Sequence, residues 1–254
     1  MKLLKAMAIA FSIYSKIPMP QFEWKEEDME YMMCFFPWIG GVIGLFFFGW
    51  AVLCEKFAVG NVCYALIGAA IPLMISGGFH VDGYMDTMDA FHSYQSREKK
   101  LEILKDSHIG AFAAIMLALY YMIDIAAISE IHTQKAVSAV AAVFFLARCF
   151  SGIAVMTLQP AKKEGLLYTF ASSAQKVRVK AALYFQAALC VAIMLLISGW
   201  YGAAAIGAAL LSFFYFKKKS YKELGGITGD TAGFFVTVCE AAAATAVAVA
   251  GYFL

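Results

Sequence analysis

Three carboxylates fall within eight residues in the stretch Ser76-Gly77-Gly78-Phe79-His80-Val81-Asp82-Gly83-Tyr84-Met85-Asp86-Thr87-Met88-Asp89-Ala90. In a helix each residue turns the chain by about 100°, so Asp82, Asp86 and Asp89 share one narrow face. Like charges so placed repel, and they are costly near hydrocarbon. A cation bound jointly by the three removes that cost. Clustered hard oxygen ligands suit Mg²⁺, which keeps several waters and binds substrate phosphates. The plainer alternative is a solvated helix end whose aspartates hold nothing.

Groups suited to anions follow. Ser96 to Ser107 reads as an amphipathic helix, with Leu101, Ile103 and Leu104 among Arg97, Glu98, Lys99, Lys100 and Lys105. Such a helix either lies on lipid headgroups or lends Arg97 and Lys105 to a phosphate. Asp106, at the mouth of the next apolar segment, is either a further metal ligand or a helix cap. Gly225-Gly226-Ile227-Thr228-Gly229-Asp230-Thr231-Ala232-Gly233 opens the last apolar segment. Glycines before a helix let backbone N–H groups approach an anion, which makes Gly226, Thr228 and Gly229 candidate phosphate-binding positions. Asp230 is either a cap or another metal ligand. Arg148 lies within an apolar segment and needs a carboxylate, a phosphate or water as partner, with Asp124 and Glu240 the available intramembrane acids. Acidic groups for Mg²⁺ beside basic groups and N–H donors for phosphates are what phosphoryl transfer requires.

The elements that must position these residues are apolar helices. Of 254 residues 62% are hydrophobic and 15% charged, and the mean hydropathy is +0.73. This composition predicts an all-α, polytopic helical membrane protein forming one integral membrane domain over 1–254. Apolar runs place about seven transmembrane helices near 38–54, 62–79, 109–130, 136–158, 181–199, 201–216 and 231–254. Residues 3–15 read as a retained short helix, interfacial or half-inserted, because no cleavage-site pattern follows. The six cysteines form no C-x-x-C pair and read as buried free thiols. Seventeen of the twenty basic residues fall in 1–36, 80–108, 159–180 and 217–230, that is, on alternate loops between the predicted spans. The positive-inside rule makes those segments cytoplasmic, and the aspartate stretch with them.

At these residues the chain resembles the cobalamin synthase family, the adenosylcobinamide-GDP ribazoletransferases. The resemblance covers nearly the whole chain. It is most specific in GGFHVDGYMDTMDA at 77–90, LKDSHIGAF at 104–112 and GGITGDTAG at 225–233. Ile17-Pro18-Met19-Pro20, Phe36-Pro37-Trp38-Ile39-Gly40, Arg148 and Glu164-Gly165 match less specifically. The resemblance implies a Mg²⁺-dependent transferase of the prokaryotic cytoplasmic membrane, with its active site facing the cytoplasm. It joins adenosylcobinamide-GDP to α-ribazole or its 5′-phosphate and releases GMP. Implied partners are the corrinoid and nucleoside substrates, the bilayer, and a second copy or other corrinoid-assembly enzymes, with no nucleic acid. Asp82, Asp86, Asp89, Asp106 and Asp230 are the candidate metal ligands. An aspartate such as Asp82 or Asp86 that the metal leaves free is a candidate base for the attacking ribose hydroxyl. His80 is the competing base, or else a donor that orients an aspartate.

Rival readings lack parts of their patterns. A CDP-alcohol phosphatidyltransferase wants DG-x-x-AR, and Asp82-Gly83 is followed by Tyr84-Met85-Asp86-Thr87. An intramembrane prenyltransferase wants an asparagine-initiated first motif and a second aspartate run, and both are missing. A cation transporter wants its carboxylates near mid-membrane on broken spans, whereas these sit at a span end.

Overall fold

The computed structural model describes residues 2–162, 166–172 and 175–253. Lys163 and the Glu164-Gly165 pair therefore lie outside the described residues. The regular elements are helices: α1 (Lys2–Tyr14), α2 (Glu26–Met29), α3 (Phe36–Lys56), α4 (Asn61–Ser76), α5 (Phe79–His92), α6 (Arg97–Ile103), α7 (Ala111–Ile128), α8 (Gln134–Thr157), α9 (Leu166–Ala171), α10 (Lys176–Ser198), α11 (Trp200–Leu224) and α12 (Gly229–Gly251). A 3₁₀ turn, Met32–Cys34, precedes α3.

Helices occupy all seven predicted spans. Among the described residues, α3, α7, α8, α10 and α12 are long and apolar enough to cross a bilayer. The bent pair α4–α5 brings the number to six if it counts as one broken span. In α11 the apolar part gives way to Lys217, Lys218, Lys219 and Lys222 in the last turns. The 13-residue α1 reaches about 20 Å at 1.5 Å per residue, short of the roughly 30 Å hydrocarbon core. The chain is an all-α, polytopic membrane protein.

α8 and α12 form its centre. Apolar side chains are buried on all sides of both, from Val137 to Met156 and from Phe234 to Val247. A helix that is apolar all round is either enclosed in this way or faces lipid, as α10 does through Phe185, Leu189 and Leu196. Arg148 of α8 and Glu240 of α12 meet in the enclosed layer, Nη1 to Oε1 at 2.7 Å. Cys54, Cys149, Cys190 and Cys239 are buried thiols as expected. Cys34 is half-buried and Cys63 is exposed.

One departure from regularity sets up the site. α4 ends where Gly77 and Gly78 both take left-handed φ values, +67° and +84°, which cost a glycine little. The chain turns by 97° there, so α5 does not continue α4. α5 instead runs across the starts of two spans. Its Gly83 is pressed to the first turn of α12, where a Cβ would lie 2.8 Å from the Asp230 carbonyl oxygen. Asp89, two turns on, reaches the start of α7.

Candidate active site

The close approach at Gly83 puts the acidic face of α5 beside Asp230 of α12. Asp82 is exposed, while Asp86 and Asp230 are half-buried. Burial, then the charges of Asp82, Asp230 and Asp89, push the Asp86 carboxyl up to about 7. Among the described residues Asp82, Asp86 and Asp230 form no ion pair. They concentrate negative charge at one end of the bundle, offset in part at Asp230 by the charge of Lys162. Asp82 also lines an open cleft of about 520 Å³ together with Lys16, Ser76, Gly77, Met85 and Tyr121.

The other two predicted metal ligands are engaged elsewhere. The Asp89 carboxylate accepts the Gly110 N–H at 2.7 Å and the Ala113 N–H at 2.9 Å, satisfying the first turn of α7. Asp106 faces solvent and holds His108, accepting its backbone N–H at 3.1 Å and lying 2.6 Å from Nδ1. Asp230 is not the cap of α12. Thr228 takes that part through a reciprocal pair, in which Thr231 N–H donates to the Thr228 hydroxyl and Thr228 N–H to the Thr231 hydroxyl. The Asp230 carboxylate, freed from capping, accepts the Thr228 hydroxyl at 3.4 Å.

The glycine loop is held from both sides. Ile227 N–H donates to the Gln159 carbonyl at 3.0 Å and Ala161 N–H to the Ile227 carbonyl at 2.8 Å, a short parallel bridge to the end of α8. Arg97 lies directly over Gly225, where a Cβ would strike its guanidinium. α6 is fastened beside the loop by Lys100, which is buried and reaches Glu223 at 2.5 Å, and by Lys162, which donates to the Leu101 carbonyl at 2.8 Å. Arg97, Gly226, Thr228 and Gly229 are thus gathered at the end that carries Asp82, Asp86 and Asp230. Lys105 is exposed beyond the end of α6. Arg148, 1% exposed, is spent on Glu240 and the Phe144 carbonyl within the span layer. His80 is buried among Tyr14, Phe36 and Phe79, behind the acidic face.

Sequence reasoning missed Lys16, Lys100 and Lys162 as site residues. Lys16 stands 66 residues before Asp82, and only the fold brings it there: its N–H donates to the Ile75 carbonyl and its side chain covers Gly77. Nothing local distinguishes these lysines from the others that mark the basic segments.

No group of three His, Cys, Asp or Glu side chains among the described residues is arranged to hold a metal ion by itself. The chemistry of Asp82, Asp86 and Asp230 nonetheless fits magnesium, which is commonly held by one or two carboxylates together with water and substrate phosphates.

The helices and this end site define a polytopic membrane protein with an acidic cluster, basic groups and a helix-start loop gathered at one end of its bundle. The chain belongs to the cobalamin-5-phosphate synthase family, whose profile matches residues 6–248. It is similar to the adenosylcobinamide-GDP ribazoletransferase of Lachnoclostridium phytofermentans, 43% identical over 250 residues, covering 98% of this chain and 95% of that protein. The Clostridium botulinum protein of the same name is 31% identical over 242 residues, covering 94% of each chain. No solved structure matches the chain.

Proposed function

We propose that this chain is an adenosylcobinamide-GDP ribazoletransferase: it joins adenosylcobinamide-GDP to α-ribazole, or its 5′-phosphate, and releases GMP. The observation that carries the reading is the cluster of Asp82, Asp86 and Asp230, without an ion pair among the described residues, beside the clamped loop at 225–228. A ribose hydroxyl attacks the phosphorus on the aminopropanol side of the diphosphate, the P–O bond to GMP breaks, and an aspartate of the cluster takes the hydroxyl proton. Arg97, Lys16 and the Gly229 N–H at the start of α12 orient the diphosphate. Magnesium held by the cluster would neutralise the diphosphate and the departing GMP.

The site end is the cytoplasmic side of a prokaryotic inner membrane. In support, parts of all four lysine- and arginine-rich segments converge there, namely Lys16, Arg97, Lys162 and Lys219, the last through Glu223 to Lys100 of α6. A reporter fused after Lys222 should read cytoplasmic, and one after Gly60 external. An external reading after Lys222 refutes this orientation.

Purified protein given both substrates should release GMP only when magnesium is supplied. GMP release that persists unchanged with a chelator would remove the metal from the proposal, and no release under any condition would remove the activity.

A further inference from the structure

We infer that the small pocket behind His80 receives the aromatic base of the attacking nucleoside, with the His80 ring hydrogen-bonded to the base's free ring nitrogen. The inference rests on the transferase reading above and adds where one substrate is gripped.

The pocket is about 110 Å³ and mostly apolar, walled by Tyr14, Phe36, Phe79, Val155 and Phe170. His80 lies among these rings, nearly parallel to Tyr14 at 14° and 6.2 Å, and 5.6 Å from Phe36. Both of its ring nitrogens are buried and neither has a hydrogen-bond partner among the described residues. An imidazole so placed loses its hydration without replacement, which is costly unless a ligand supplies a partner. Ser151 also lines the pocket, but its hydroxyl is directed to the Ala232 carbonyl at 3.4 Å.

The substrates carry different rings. Guanine presents a carbonyl, an amino group and several ring nitrogens, each of which needs a partner when buried. A benzimidazole base attached to ribose keeps one acceptor nitrogen and is otherwise apolar. A neutral imidazole always carries one N–H donor, so one histidine satisfies that base and leaves guanine mostly unsatisfied. Location agrees. Ile13 and Phe79 line both this pocket and the cleft that holds Asp82, and Gly229, at the start of α12 just before Asp230, also borders the pocket. A nucleoside whose base fills the pocket can therefore reach past Phe79 toward the cleft.

The test uses the full-length protein with adenosylcobinamide-GDP and either the benzimidazole riboside or the isosteric indole riboside, which lacks the acceptor nitrogen. The unaltered protein should favour the benzimidazole riboside by about tenfold or more in KM, and His80→Phe should bring the two to equal values. Val155→Phe, which narrows the pocket from α8, should raise the riboside KM about tenfold while leaving that for adenosylcobinamide-GDP within about twofold. Val155→Ile serves if the larger residue prevents folding. A preference that survives His80→Phe, or a pocket-narrowing variant that changes both KM values equally or neither, overturns the inference. The thermal shift given by the benzimidazole riboside alone is read in parallel. A shift that is lost in these variants, in protein that releases no GMP, would uphold the pocket and reject the transferase activity.

Discussion

Asp89 of α5 closes the first turn of α7, its two carboxylate oxygens taking the N–H groups of Gly110 and Ala113 at 2.7 and 2.9 Å. A residue on the acidic face thereby fixes one element of the site to another. Asp89→Ala should cost about 1–2 kcal/mol, as the loss of a helix cap does. Thermal unfolding in detergent checks this. An unchanged midpoint would show that the cap contributes nothing.

Asp82, Asp86 and Asp230 should behave in the opposite way. Changing each in turn to Asn removes one negative charge with little change of shape. Turnover should fall by about two orders of magnitude or more if a hard anionic ligand or a base is lost. Metal-free stability should hold or rise, because like-charge repulsion is relieved. GMP release and the metal-free melting temperature, measured on the same preparations, separate this from a structural role. Three variants with normal turnover would place the chemistry elsewhere.

The raised Asp86 carboxyl makes stability depend on pH. Its folded value, about 7, lies above the ordinary aspartate value of 3.8, so the folded state holds its proton more tightly than the unfolded state does. The resulting stabilisation is complete below the unfolded value and is lost as pH rises through about 7. Metal-free protein should therefore melt progressively lower between pH 5 and pH 8. Asp86→Asn should flatten that slope. A cation competes with the proton, so magnesium should bind more tightly as pH rises over the same range. An equal slope in Asp86→Asn would assign it to another group.

Arg148 and Glu240 form a buried pair 2.7 Å apart. Removing one partner strands the other, so Arg148→Ala should cost about 3–5 kcal/mol and lower the folded yield. Replacing both residues with apolar ones should recover much of that loss. The yield of folded protein from size-exclusion chromatography, compared across the single and double variants, checks it. A single variant with full yield would mean that Glu240 finds another partner or is neutral.

The helices were legible because apolar runs of spanning length leave the chain few other choices, and all seven predicted runs are helical. The spacing of Asp82 and Asp86 likewise revealed a helical face. What sequence spacing does not carry is which carboxylate faces what. Asp89 shares the face of Asp82 by angle, yet it is taken by Gly110 and Ala113 from 21 and 24 residues away. Asp230 was open to either role until Thr228 proved to be the cap. The sharp turn at Gly77 and Gly78 was not predicted either. Two adjacent glycines permit such a bend, but the packing of α5 against α7 and α12 makes it.

The bridge between Ile227 and the strand-like residues Gln159 to Ala161, with Lys100 and Lys162 fastening α6 alongside, has a kinetic and entropic consequence. A glycine-rich segment left loose would lose its conformational freedom each time an anion arrived, and affinity would fall accordingly. Here that freedom has already been surrendered during folding. The segment meets its ligand preorganised, and a substitution that unfastens it, such as Glu223→Gln, should weaken phosphate capture without altering any group that touches phosphate.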